Sequence, residues 1–275
     1  MAFTVTTLIE NRAGSEELAF QHGLSLYLTD GEFSLLLDTG SGPEFLDNAK
    51  KIGVDLSNLD ALVLSHGHFD HTGGVKALIN SGYIPREVYM GQNFYTPRYK
   101  REEGRLRPIS ARFSEDFLVD NKISAYLLEP GIHQLHNRVF LVTGIPQKND
   151  LEKPNERLLC QRDRSYITDP FSEETVVVVM GDRGLALLSG CSHLGILNTC
   201  DWISHLFNQP IRTFIGGTHL MESDEARIHE TMRRLSMMGV ERVGACHCNG
   251  ELANGLFAKH YRGFFDNVGG TVVEL

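Results

Sequence analysis

Four metal-ligating side chains fall within six residues of this chain, in His66-Gly67-His68-Phe69-Asp70-His71. Imidazoles and a carboxylate packed this densely are costly to bury unless a cation shares them. Together they suit zinc, iron or manganese. The apolar run Ala61-Leu62-Val63-Leu64 precedes the cluster, and Thr72-Gly73-Gly74 follows it. That order predicts a buried strand, a tight loop presenting His and Asp, and then a helix. The alternative is a polar loop with chance histidines, which gives the four groups no use.

The chain has 275 residues and is 41% hydrophobic, enough for one large core. A single domain over residues 1–275 is expected, with excursions near 92–117 and 145–172. A net charge of −9 argues against general attraction to nucleic acid or an anionic membrane. No apolar run approaches the length that spans a bilayer. Met1-Ala2-Phe3-Thr4-Val5 lacks the basic region and apolar core of a secretion signal. Five cysteines, an odd number without framework spacing, fit a reducing cytoplasm.

Periodicity predicts strands at Thr4–Glu10, Leu24–Thr29, Phe33–Leu37 and Ala61–Leu64, with a helix opened by Gly42-Pro43 and closed by Gly53. Val75–Ile79 reads as helical. The stretch from Tyr89 to Phe117 reads as a long loop or short-helix excursion, basic against an acidic background. Strands return at Ile123–Leu128 and Val139–Val142, and Ile145 to Ser172 reads as a second polar excursion. Thr175–Met180 and Leu185–Leu188 form a hairpin around Asp182-Arg183-Gly184. The last third alternates: helix Leu194–Phe207, strand Ile211–Ile215, helix Asp224–Met238, strand Glu241–Ala245, helix Gly250–His260 and an edge strand at Thr271–Val273. Two blocks mixing strands with helices predict a sheet-on-sheet core with helices outside.

Further donors must come from distant strand ends. Three segments share an order of apolar strand, small residue, then His: Leu187-Leu188-Ser189-Gly190-Cys191-Ser192-His193, Phe214-Ile215-Gly216-Gly217-Thr218-His219 and Val243-Gly244-Ala245-Cys246-His247-Cys248-Asn249-Gly250. Ligands at strand termini are held by the sheet, and glycines let backbone come close. Cys246 and Cys248 flank His247 and, in an extended segment, face away from it. His22, His133, His136, His205, His229 and His260 lack such settings and default to surface or hydrogen-bonded core roles.

The loop Ser65-His66-Gly67-His68-Phe69-Asp70-His71-Thr72-Gly73-Gly74 resembles the metallo-β-lactamase superfamily signature at every defining position. Asp38, after an apolar strand, resembles its first motif, and the likeness runs from Val5 to Val273. Gly190-Cys191-Ser192-His193-Leu194-Gly195-Ile196-Leu197-Asn198, Gly216-Gly217-Thr218-His219-Leu220 and His247-Cys248-Asn249-Gly250 resemble a narrower group, named for a dihydropterin–ribosylaminobenzene phosphate synthase. The resemblance implies an α/β fold, an αββα sandwich of two mixed sheets with helices on the outer faces. It implies two divalent metal ions, zinc foremost with manganese or iron as alternatives. His66, His68 and His193 would surround one; Asp70, His71 and His247 the other. Asp38 would fix the loop by hydrogen bonds. The superfamily usually supplies a bridging Asp in a Gly-Asp context, whereas this chain reads Gly190-Cys191, so Cys191 either bridges as a thiolate or packs beneath the site.

Asp70 and His219 are the candidate catalytic residues, with His219 as general acid or substrate contact. Tyr95 is placed to stack on a flat ring, and Arg98 or Arg105 to hold a phosphate. The competing view is a solvated loop or an oligomer contact. Three functions compete. The first is a metal-dependent enzyme acting on a phosphorylated, ring-containing small molecule. The second is a general metallo-hydrolase of esters, thioesters or phosphodiesters. The third is a metal-binding sensor that has lost turnover.

Overall fold

The structure, a computed structural model, describes residues 2–275. Two compact units divide the chain. The first comprises the chain up to Glu129, Pro154–Glu173 and Val268–Glu274; the second comprises Pro130–Lys153 and Glu174–Asn267, with the terminal Leu275.

The first unit holds a seven-stranded sheet in the order Val272–Glu274, Thr4–Ile9, Ser25–Thr29, Ser34–Leu37, Ala61–Leu64, Glu87–Gly91, Ser124–Leu128. Pairing is antiparallel as far as Ser34–Leu37 and parallel beyond it. Ala61–Leu64 is buried along its whole length, as expected when both faces are covered. Helix Glu44–Lys51 begins after Pro43, carries Glu44 and Asp47 in its first turn and Lys50 and Lys51 in its last, and buries Phe45 and Ala49. Its buried Asn48 side chain donates to the Leu8 and Ala19 carbonyls and so ties the helix to the sheet margin. Register matters most at one place. Leu37 lies opposite Val63, so the two parallel strands run out side by side, and Asp38 emerges next to Ser65.

The second unit repeats this device. Its six-stranded sheet runs Arg242–Cys246, Ile211–Gly217, Gly184–Ser189, Thr175–Gly181, Val139–Thr143, Gly131–His136. The first three are parallel to one another, and the remaining pairings are antiparallel. Helices Ile196–Phe207 and Glu225–Met237 connect the parallel strands. The carboxyl ends of all three parallel strands therefore lead to one edge, where the Cys191–His193, Thr218–His219 and His247 segments begin.

The two excursions, the first expected as a long loop or short helix and the second as a polar stretch, contain strands. Arg98–Glu102, Arg105–Pro108, Leu158–Arg162 and Ser165–Thr168 form a four-stranded antiparallel sheet in the first unit. Both hairpins close through two-residue turns, Glu103-Gly104 and Asp163-Arg164, with Glu103 at φ 48° and Asp163 at φ 53°. Arg105–Pro108 is exposed along its whole length, so no buried face imposes a period of two on its sequence. A short helix, Glu115–Asp120, follows. The strand Gly131–His136 was also not expected from sequence. Among the described residues, no helix is long and apolar enough to cross a membrane.

Candidate metal centre

In the first unit, the strand Ala61–Leu64 delivers buried Ser65 and His66, and extended His68 precedes a one-turn helix, Phe69–Thr72. Three imidazoles are gathered: the His66 ring lies 4.5 Å from His68 and 4.3 Å from His71, centroid to centroid. Asp38, fully buried, organises two of them, His66 and His71. Its carboxylate accepts the Ser65 N–H and the Ser65 hydroxyl, each at 2.7 Å, and bonds His71 Nδ1 at 2.7 Å. An ionised carboxylate only accepts, so His71 carries its proton on Nδ1 and presents a lone pair at Nε2. Ser65 Oγ gives its proton to Asp38, so at 2.9 Å it accepts from His66 Nδ1–H. His66 Nε2 is thereby the ligand-ready nitrogen too. The carboxylate of Asp70 lies 3.8 Å from His71 Nε2 and 3.2 Å from His22 Nε2. His22, set aside on sequence grounds, thus belongs with this cluster. Its isolated Gln21-His22-Gly23 context carries no ligand pattern that would have revealed it.

The segment that follows the outer strand of the small sheet braces the loop. Ala111 N–H donates to the Gly67 carbonyl at 2.8 Å, and Phe69 N–H to Ile109 at 2.9 Å. Gly67 is required by close approach: a Cβ there would lie 2.5 Å from Arg98 Nη1 and 2.6 Å from the Phe94 carbonyl. The expected role of Arg98 as a phosphate contact is corrected. The side chain is buried, with Nε 2.9 Å from Asp169 and Nη2 2.6 Å from Glu173, and it donates to the Phe94 and Thr96 carbonyls. It is a scaffold cation, and its partners lie far along the chain. Tyr95 packs edge-on to Phe94 and Phe113 in the core margin, and burial, with Glu115 adding, pushes its hydroxyl up to about 12. The expected stacking surface is therefore turned to protein rings. Arg105 alone of the three is exposed, on the outer hairpin strand. Phe171 caps the imidazoles, 6.3 Å from His66 and 5.5 Å from His68.

In the second unit, Cys191, His193, His219 and His247 gather at the sheet edge. The His193 and His219 rings are 4.6 Å apart. Glu174 clamps the His193 segment, accepting the backbone N–H of His193 at 2.7 Å and of Leu194 at 2.8 Å. Ser192 Oγ donates to the Gly217 carbonyl at 2.8 Å. Gly216 is indispensable here, because a Cβ would lie 1.9 Å from the Ser189 carbonyl. Donor atoms of Cys191, His247 and Cys248 lie within 4.8 Å of one another. This corrects the expectation that Cys248 faces away from His247. The segment His247–Asn249 is a 3₁₀ turn, so strand alternation does not apply. Cys246, still in the strand, does point elsewhere, accepting from Asn267 Nδ2 at 3.3 Å.

Backbone strain marks the same places in both units. Asp38 (φ 62°), Ser192 (φ 56°), His219 (φ 52°) and His247 (φ 53°) are non-glycine residues in left-handed conformation. Each costs about 1–2 kcal/mol, and such outliers concentrate at functional sites. The donors present, imidazoles with oriented Nε2 lone pairs, a carboxylate and thiols, fit a divalent cation of the zinc or iron class.

Comparison with known proteins agrees with this chemistry. The metallo-β-lactamase superfamily model matches residues 19–137. The 7,8-dihydropterin-6-methyl-4-(β-D-ribofuranosyl)-aminobenzene-5'-phosphate synthase of Methanocaldococcus jannaschii is 25% identical, over 96% of this chain and 93% of its own. A solved metal-dependent hydrolase of the β-lactamase superfamily is 27% identical, covers 99% of both chains and superposes with a TM-score of 0.86. A metallo-β-lactamase fold protein from Bacillus subtilis, 13% identical with 100% of both chains covered and a TM-score of 0.60, shares the fold alone. Residues 19–137 match the metallo-β-lactamase superfamily model, and the chain as a whole has the mixed α/β fold of its solved neighbours in that superfamily.

Proposed function

We propose that the chain is a metal-dependent enzyme acting on a phosphorylated, ring-containing small molecule. In this reading the residues that would hold metal are His66, His68, Asp70 and His71 in the first unit and His193 and His247 in the second. The observation that carries it is the buried imidazole cluster, in which the Nε2 atoms of His66 and His71 are set by the Asp38–Ser65 hydrogen bonds. Bound cations of this class supply Lewis acidity and a water of lowered pKa. The chain's own residues then divide the work. Asp38 fixes two imidazole tautomers, and Glu174 fixes the backbone that presents His193. Asp70 holds or takes a proton at the reacting water, and His219, beside His193, delivers one to the leaving group. The phosphorylated, ring-containing substrate class is supported by the name of the Methanocaldococcus relative.

The hydrolase description of the 27% identical structure supports a second reading, a general metallo-hydrolase. Turnover of simple phosphodiesters, with no binding of reduced pterins in calorimetry, would favour it.

The His68→Ala variant is expected to lose the cation that His68 helps to hold, and turnover with it, with affinity at that position reduced about 100-fold. Elemental analysis of the purified variant checks this, and unchanged metal content would sink the assignment. His219→Ala is expected to retain its metal while slowing the chemical step about 100-fold. Metal lost from that variant would make His219 a ligand instead of a proton donor.

A further inference from the structure

The second unit contains two buried thiols that the imidazole-and-carboxylate scheme does not use. We propose that Cys191 and Cys248, together with His247, form a sulfur-rich site for a thiophilic divalent cation. The proposal deepens the function above, since His247 also stands in the second donor group there. The two thiols and the imidazole are all buried, and their donor atoms lie within 4.8 Å of one another. They reach this arrangement from two strand ends, one through Gly190-Cys191 and the other through the 3₁₀ turn that swings Cys248 inward. Gly217 clears the space between them: a Cβ there would lie 2.5 Å from Cys248 Sγ and 3.0 Å from Cys191 Cα. Cys248 Sγ also accepts the backbone N–H of His219 at 3.2 Å, an interaction that strengthens as sulfur gains negative charge. Two thiolates and an imidazole select zinc, iron or cobalt over magnesium or manganese. All three ligands sit in one unit.

Cobalt substitution of the full-length, metal-stripped protein tests this. Cobalt bound by thiolate gives an intense near-ultraviolet charge-transfer band, which cobalt bound only by imidazole and carboxylate lacks. The wild-type protein is expected to show the band. Cys191→Ser and Cys248→Ser are each expected to lower it by about half, and the double variant to abolish it. Cys160→Ser, in the first unit, and His68→Ala should both leave it in place. Circular dichroism confirms that each variant is folded. A cobalt-loaded wild type without the band would overturn the inference whatever the variants do, and would leave the proposed function standing. Full intensity in either single Cys variant, or loss of the band in His68→Ala, would also overturn it. Unchanged metal content in His68→Ala with the sulfur band present is a different result, refuting the imidazole scheme and supporting the sulfur site.

Discussion

Replacing Arg98 with methionine lowers folding stability by about 3–5 kcal/mol, because it strands two buried carboxylates. Arg98 is 1% exposed, and its guanidinium stands 2.9 Å from Asp169 and 2.6 Å from Glu173. Methionine fills much of the same volume, so the effect reports on charge more than on a cavity. Urea denaturation of the variant beside wild type measures it. A loss under about 1 kcal/mol would mean that the network carries no net weight. The double variant Arg98→Met/Glu173→Gln should regain part of the loss, since the two residues share one network.

The same network gives a signed pH dependence. One arginine faces two carboxylates. Burial raises the Glu173 carboxyl from 4.5 to about 7, with Asp169 adding to the rise and Arg98 opposing it. Between those values the folded chain holds a proton that the unfolded chain releases, so stability falls as pH rises through that window. The contribution is fully present below about 4.5 and lost above about 7. Glu173→Gln should flatten this slope, read from urea midpoints at about pH 5 and about pH 8. An unaltered slope in that variant would place the titration elsewhere.

Removing the Asp38 carboxylate should be comparably severe. Asp38→Ala leaves the Ser65 N–H, the Ser65 hydroxyl and His71 Nδ1 without their shared acceptor, at a cost of about 3–5 kcal/mol. Alanine also tolerates the left-handed backbone at φ 62° less well than aspartate. Asp38→Asn separates the two effects. Asparagine accepts this backbone readily and keeps one acceptor, so most of the stability should return. Its amide cannot serve all three donors as the carboxylate does, and metal affinity should still fall about 10- to 100-fold. Equal stability losses in the two variants would show that the carboxylate's charge, not the backbone conformation or hydrogen-bond count, dominates.

What the sequence disclosed follows from how local each signal is. The His66–His71 cluster is contiguous, and its strand is wholly apolar, so both were legible. The other donors sit at the ends of apolar strands, which exposed His193, His219 and His247 as candidates. Cys248 was misread because its geometry depends on where the strand Arg242–Cys246 stops, and a one-residue difference there reverses a side chain's direction. Arg98 was misread for the opposite reason. Nothing near it in sequence reveals Asp169 and Glu173, and a cation in a polar stretch looks solvated until its partners are known. The four-stranded sheet escaped notice because its outermost strand buries nothing and so leaves no alternation to detect.

The carboxyl tips of the parallel strands carry a consequence for descent. Asp38, His66, Cys191, His219 and His247 all lie just past strands whose own side chains fill the interior. Exchanging a ligating tip residue, as distinct from the bracing Asp38, would alter which ion is welcomed while the architecture beneath keeps its shape. A scaffold built this way lets lineages trade one chemistry for another through a handful of codons, with foldability inherited intact.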